Sequence, residues 1–241
     1  MSENTTQHTT EPTEKKENLW INLIFNIVAP TLILSKLSGE EHLGSTLALI
    51  VALLFPLGYG LMDFTQRQKI NVFSILGIIS TLLTGTISLL ELPPEYIAIK
   101  EASIPGLIFL IILISTKTPY PLVEKLIFND AIFNLKKLKA IIAEQKNEVH
   151  LHKIMTNCSY LVAASFALSS VLNYVLAVVI VVSPAGTEAY NTELAKMMAL
   201  SYPVIALPSM IVMGAALFYF MRSVNKLTGH DIEDFLVMQS K

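Results

Sequence analysis

Apolar residues in this chain gather into long runs parted by short polar turns. Six such runs occur, at about 19–37, 44–62, 70–90, 97–116, 157–182 and 199–221. Each holds close to the ~20 apolar residues that an α-helix needs to cross a hydrocarbon layer of about 30 Å. The pattern predicts an all-α fold, a polytopic integral membrane bundle of six transmembrane helices over 19–222. Residues 1–18 are polar, rich in Thr and Glu, and predict a disordered tail. They do not form the short basic segment of a signal peptide, so the first run is expected to be retained. Residues 223–241 form a second tail, charged and then apolar at Phe235, Leu236, Val237 and Met238. Thr228 with Asp231 three positions later suits the start of a short helix there.

Polar residues inside the runs follow helical spacing. Asn22, Asn26 and Pro30 recur every four residues, so they share one face of the first span. Lipid cannot satisfy amides, and that face is predicted to point into the bundle. Gly44, Ala48, Ala52, Pro56 and Gly60 make a small-residue ridge on the second span, and Gly77, Thr81, Gly85 and Ser88 another on the third. Such ridges let helices approach closely, and they also suit a homodimer or contact with other envelope proteins. Asn71 opens the third span and Asn173 lies well inside the fifth. Pro30, Pro56, Pro105, Pro203 and Pro208 each remove a backbone donor, which predicts bent or interrupted helices and room for a cavity.

Apart from Lys36, at the very end of the first run, Lys100 is the one basic residue inside a predicted span. Ionisable residues in a membrane are costly and are candidates for function by default. Here the depth is small, about 6 Å from the outer end at ~1.5 Å per residue. A lysine stem snorkels that far, so the plainer expectation is an interface anchor paired with Glu95 or Glu101. Adjacent helical residues diverge by about 100°, which argues against Lys100 and Glu101 facing one small site squarely. Asn22, Asn26, Asn71, Lys100 and Asn173 are the candidate polar interior.

The one long connection, 117–153, carries Lys117, Lys125, Lys136, Lys137, Lys139, Lys146 and Lys153. Ile132, Leu135, Leu138 and Ile142 follow helical spacing between them. Two readings fit this amphipathic pattern: a helix on the membrane surface, with Lys125, Lys136, Lys137 and Lys139 toward anionic headgroups or a partner, or a solvated helix covering the bundle. His150 and His152 diverge by about 200° on a helix and do not suggest a metal site.

Charge sets the orientation. Lys15, Lys16, Arg67, Lys69, the seven loop lysines, Arg222, Lys226 and Lys241 fall on one side of a six-span thread. The other side holds Lys36 and Lys196 with Glu40, Glu41, Glu91, Glu95, Glu188 and Glu193. By the Lys/Arg bias both termini are predicted cytoplasmic. Composition agrees with the membrane assignment: 53% of the 241 residues are hydrophobic and only 15% charged, against about a quarter charged in soluble domains. A net charge of −2 gives no reason to expect nucleic acid. The lone Cys158 allows neither an internal disulfide nor a thiolate metal cluster.

No phosphate-binding loop, dinucleotide fingerprint, His-Glu-x-x-His or Gly-x-Ser-x-Gly is present. No enzyme class, metal or cofactor is therefore expected. Three stretches carry a resemblance: Asn26-x-x-x-Pro30; Lys100-x-x-Ser103 with Pro121-Leu122-x-x-Lys125-Leu126; and Ser165-Phe166-Ala167-Leu168-x-x-x-Leu172-Asn173. In that order they resemble the bacterial intracellular septation protein A family and related inner-membrane proteins of similar topology. The resemblance implies a bacterial inner-membrane protein linked to envelope maintenance or division, and brings no catalytic residues with it. The lysine-rich loop and longer tail depart from the septation pattern. Two functions are thus expected to compete: a structural or interaction role using the lysine-rich loop, and a small-solute carrier using a polar cavity.

Overall fold

The computed structural model describes residues 19–67, 72–118, 121–127 and 134–235, and the described part is all helical. The chain begins with α1 (Leu19–Leu23), passes through a π-helical turn (Ile24–Val28) and continues as α2 (Ala29–Lys36). Then come α3 (Gly44–Arg67), α4 (Val72–Leu89), α5 (Glu95–Ser115), α6 (Leu122–Ile127), α7 (Leu135–Glu144) and α8 (Glu148–Ile180). α9 (Glu188–Ser201) runs through a second π-helical turn (Tyr202–Ala206) into α10 (Leu207–Thr228), and a 3-10 turn (Ile232–Phe235) follows.

Among the described residues, four helical stretches are long and apolar enough to cross a membrane: Gly44–Met62, Glu95–Ser115, Glu148–Ile180 and the continuous Glu188–Thr228. Trp20–Lys36 and Ile75–Leu89 are shorter apolar helices. The outer faces carry many exposed apolar side chains, with Val179 70% and Ile211 71% exposed. Water would not tolerate so much contiguous apolar surface, whereas lipid does.

The two π turns share one local feature. Each is followed, two residues past its end, by a proline: Pro30 after Val28 and Pro208 after Ala206. A proline ring collides with the carbonyl four residues back and offers it no N–H. The ladder slips instead to i−5, with the Ala29 N–H on the Ile24 carbonyl and the Leu207 N–H on the Tyr202 carbonyl. Pro56 and Pro105, in contrast, sit inside helices that continue as α.

Packing divides into two cores, one toward each end of the bundle. The first joins Leu34, Leu49, Ala52, Ile97, Tyr190 and Leu194. The second joins Ile112, Leu138, Ile142, Met155, Phe220 and Phe235. α5 and α8 form the most extensive helix pair, and small groups let them close: a Cβ on Gly106 would lie 3.1 Å from Ser170 Oγ, which itself donates to the Ala102 carbonyl at 2.8 Å. The ridges expected on the second and third spans are filled within the chain only in part, since a Cβ on Gly44 or Gly77 would meet nothing within 4 Å. Ala48 and Ala52 are fully buried, and Gly85 faces Leu53 so closely that a Cβ would lie 3.0 Å from its methyl.

Three boundaries differ from the sequence expectation. α8 starts at Glu148 rather than near 157, so His150, His152 and Lys153 belong to it and not to a loop. The region after Ser183, expected as an outer loop up to about 198, is helical from Glu188 because Thr187 caps it, its hydroxyl accepting the Tyr190 N–H at 3.1 Å. The last helix continues to Thr228 and ends on Gly229, whose φ of 73° suits a left-handed C-terminal cap.

α7 decides between the two readings of the lysine-rich connection. Its apolar face, Leu138 and Ile142, is buried in the second core. It therefore covers the bundle and does not lay that face in lipid. Asn134 caps it by accepting the Lys137 N–H at 3.1 Å. Lys137 turns back to the C-terminal segment, donating to the Asp234 carbonyl at 3.1 Å and lying 5.5 Å over the Phe235 ring. The turn between α7 and α8 closes the end of α10: Gln145 donates to the Thr228 carbonyl at 3.1 Å and Asn147 to the Leu227 carbonyl at 3.5 Å.

Candidate functional site

α5 carries two adjacent charged residues near one end, Lys100 and Glu101. Lys100 is buried, only 8% exposed. Its ammonium donates to Glu101 Oε1 at 2.6 Å and to Thr84 Oγ1 at 2.7 Å, and Thr84 in turn donates to the Ser80 carbonyl at 3.1 Å. This corrects the expectation from helical divergence. The Cα–Cβ directions do diverge, but the four-carbon lysine stem bends across the interval and brings the two charges together. Paired and hydrogen-bonded, an ammonium is tolerated in a low-dielectric setting that would expel it alone.

The same carboxylate borders a cavity of about 200 Å³. Glu101 and Asn173 supply its polar side with Ser201 and Tyr202; Ile27, Leu176, Met197 and Ile205 supply apolar walls. Four elements converge: the first π turn through Ile27, α5 through Glu101, α8 through Asn173, and the α9–π turn–α10 helix through Ser201, Tyr202 and Ile205. Both π turns thus flank one cavity, in keeping with the tendency of such turns to lie at functional sites. Pro105 adds a backbone feature, since it has no N–H to give to the carbonyl of Glu101. Among the described residues only Oε1 of Glu101 has a partner. Asn173 donates to the Ser169 carbonyl at 2.7 Å and to Ser169 Oγ at 3.3 Å, which anchors its amide nitrogen.

The remaining residues singled out from sequence are placed elsewhere. Asn26 donates to both the carbonyl and Oδ1 of Asn22, at 3.1 and 3.0 Å, so these two amides satisfy one another along the first helix and do not line the cavity. Asn71 lies outside the described residues. Lys136 is exposed on α7, Lys137 is engaged as described, and of Lys125 and Lys139 only the helical backbone is described.

A second polar network was not anticipated from sequence. Asn191, 1% exposed, donates to Ser38 Oγ at 2.9 Å and to the Ser45 carbonyl at 2.7 Å. Tyr190, fully buried, shares a 2.8 Å hydrogen bond with Ser88. Glu193 accepts the Val182 and Ser183 N–H groups at 2.9 and 2.8 Å. These bonds tie the turns around residues 38–45, 88–92 and 182–187 to α9 at one end of the bundle. The overlooked signal was Thr187-Glu188, a capping residue followed by an acid, which marks a helix start.

Compared with known proteins, the chain matches no family model, no curated protein and no solved structure. The likeness to septation protein A rests on the three sequence stretches alone.

Proposed function

We propose that the chain is a six-crossing protein of a bacterial inner membrane, with both termini cytoplasmic, that binds and passes a small solute. The observation that carries this reading is the meeting of Glu101 and Asn173, from two different helices, at one cavity flanked by both π turns. The Lys/Arg bias supports the orientation. Gathering of the acidic turns supports the threading: Gly39 lies against Glu188, and Gly186 against Glu91. The cavity corresponds to about six or seven waters, at ~30 Å³ each. Its walls are mostly apolar, with one carboxylate and one amide beside the hydroxyls of Ser201 and Tyr202. That selects a small solute with an apolar body and a single hydrogen-bonding or amine head.

The test is uptake by proteoliposomes containing the purified full chain, using radiolabelled short amines, neutral amino acids and small polyols. Accumulation of one class, lost in Asn173→Leu and retained in Lys136→Gln, is expected. No accumulation above protein-free liposomes for any class refutes the carrier reading. A structural or interaction role in envelope maintenance or division is the second reading. It is favoured by the cap of α7 and the C-terminal 3-10 turn, which leaves Lys136 outward. Charge reversal at Lys136 and Lys146 with unchanged partner recovery and unchanged envelope phenotype would remove it.

A further inference from the structure

A second cavity, about 330 Å³, lies between α8 and α10 at the end of the bundle that carries α7 and the C-terminal segment. Its chemistry is unlike the first. α8 contributes His150, Lys153 and Asn157, spaced three and four apart on one face. α10 contributes Tyr219, Ser223 and Lys226, with the same spacing. Ile154 and Leu227 supply apolar surface, and no carboxylate lines the cavity.

Every polar group here is a donor or can become one. Asn157 gives an amide N–H to the Tyr219 hydroxyl at 2.9 Å, which leaves the phenolic proton available to another acceptor. Among the described residues the ion pairs are Lys100–Glu101 and His230–Asp234, so neither Lys153 nor Lys226 has a carboxylate partner there. Two ammonium groups around one cavity repel each other unless an anion lies between them. A tetrahedral oxyanion has acceptor oxygens enough for both lysines, Ser223 and Tyr219, and charge-assisted bonds of this kind are the strong ones.

We propose that this cavity binds the phosphate group of an anionic ligand. The phosphate comes either from a phospholipid headgroup or from a free phosphate in solution.

The experiment uses the full chain purified in mild detergent. Native mass spectrometry follows incubation with equal phosphatidylglycerol and phosphatidylcholine, and calorimetry follows titration with inorganic phosphate. Both are run on the wild type, on the double variant Lys153→Gln/Lys226→Gln, and on Lys136→Gln as an exposed lysine outside the cavity. A lysine close to an anionic surface contributes roughly a fivefold preference, so the pair should account for about twenty-five-fold. Retained phosphatidylglycerol without phosphate binding, lost in the double variant only, assigns the site to a lipid. Phosphate binding in detergent, lost in the double variant only, assigns it to a soluble phosphate. Equal retention of the two lipids together with no phosphate binding overturns the proposal. So does binding that the double variant keeps or that Lys136→Gln loses equally. Both lysines are exposed, and an unchanged melting profile of the double variant checks that it folds.

Discussion

The Lys100–Glu101 pair makes an asymmetric prediction. Removing one partner of a fully buried ion pair costs about 3–5 kcal/mol, because a lone charge is left in a poor solvent. The two partners are not equally buried here: the Lys100 side chain is 7% exposed and that of Glu101 26%. Glu101→Gln leaves the ammonium enclosed, with Thr84 Oγ1 and a neutral amide oxygen as its only acceptors. That loss should be about 2–3 kcal/mol. Lys100→Met leaves a carboxylate at the border of the cavity, where water can reach it, and should cost about 1 kcal/mol. The double variant carries neither charge. It should lose only about 1 kcal/mol, so the single effects fail to add by about 2 kcal/mol. The assay is equilibrium unfolding in mixed detergent micelles, followed by circular dichroism, on all four members of the cycle. Equal losses for the two single variants, or strict additivity in the double, would refute a buried and coupled pair.

The outer network and the C-terminal cap can be tested in the same assay. Asn191→Ala removes the donor to Ser38 Oγ and to the Ser45 carbonyl in a site 1% exposed, and should cost about 2 kcal/mol; a loss below ~0.5 kcal/mol would show that the network is not a closed one. Phe235→Ala empties a fully buried aromatic position in the second core, with an expected loss of about 3 kcal/mol and faster proteolysis after Lys226, read by limited digestion.

The helices and the membrane character were legible because long apolar runs and proline positions are local features. On the first helix Pro30 is buried, while Asn22 and Asn26 are half-buried and bond to one another. Pairing was less so. Counting along one helix put Lys100 and Glu101 on diverging faces, and a flexible stem overrode that count. Glu101 was read only as a partner for the lysine, although it is the member of the pair that borders the cavity. The amphipathic face of α7 predicted burial correctly but could not say against what, since lipid and a protein core both take Leu138 and Ile142. Asn191 was invisible because its partners, Ser38 and Ser45, lie about 150 positions away in sequence. Of the five interior prolines, Pro30 and Pro208 follow π turns, Pro203 lies within one, and Pro56 and Pro105 sit in continuous α-helix; the residues alone give no rule for which.

α8 holds 33 residues and is about 50 Å long at ~1.5 Å per residue, well beyond a hydrocarbon layer of about 30 Å. The helix formed by α9, the second π turn and α10 is longer still, at 41 residues. These two rails wall both cavities. Asn173 on α8 borders the first and Asn157 the second; Tyr202 and Tyr219 do the same on the other rail. In each case the separation is about 25 Å along the axis. A change in tilt or axial register of either rail is therefore geometrically common property of both cavities. A solute held beside the π turns and an anion held between the lysines read the same two rods from opposite ends.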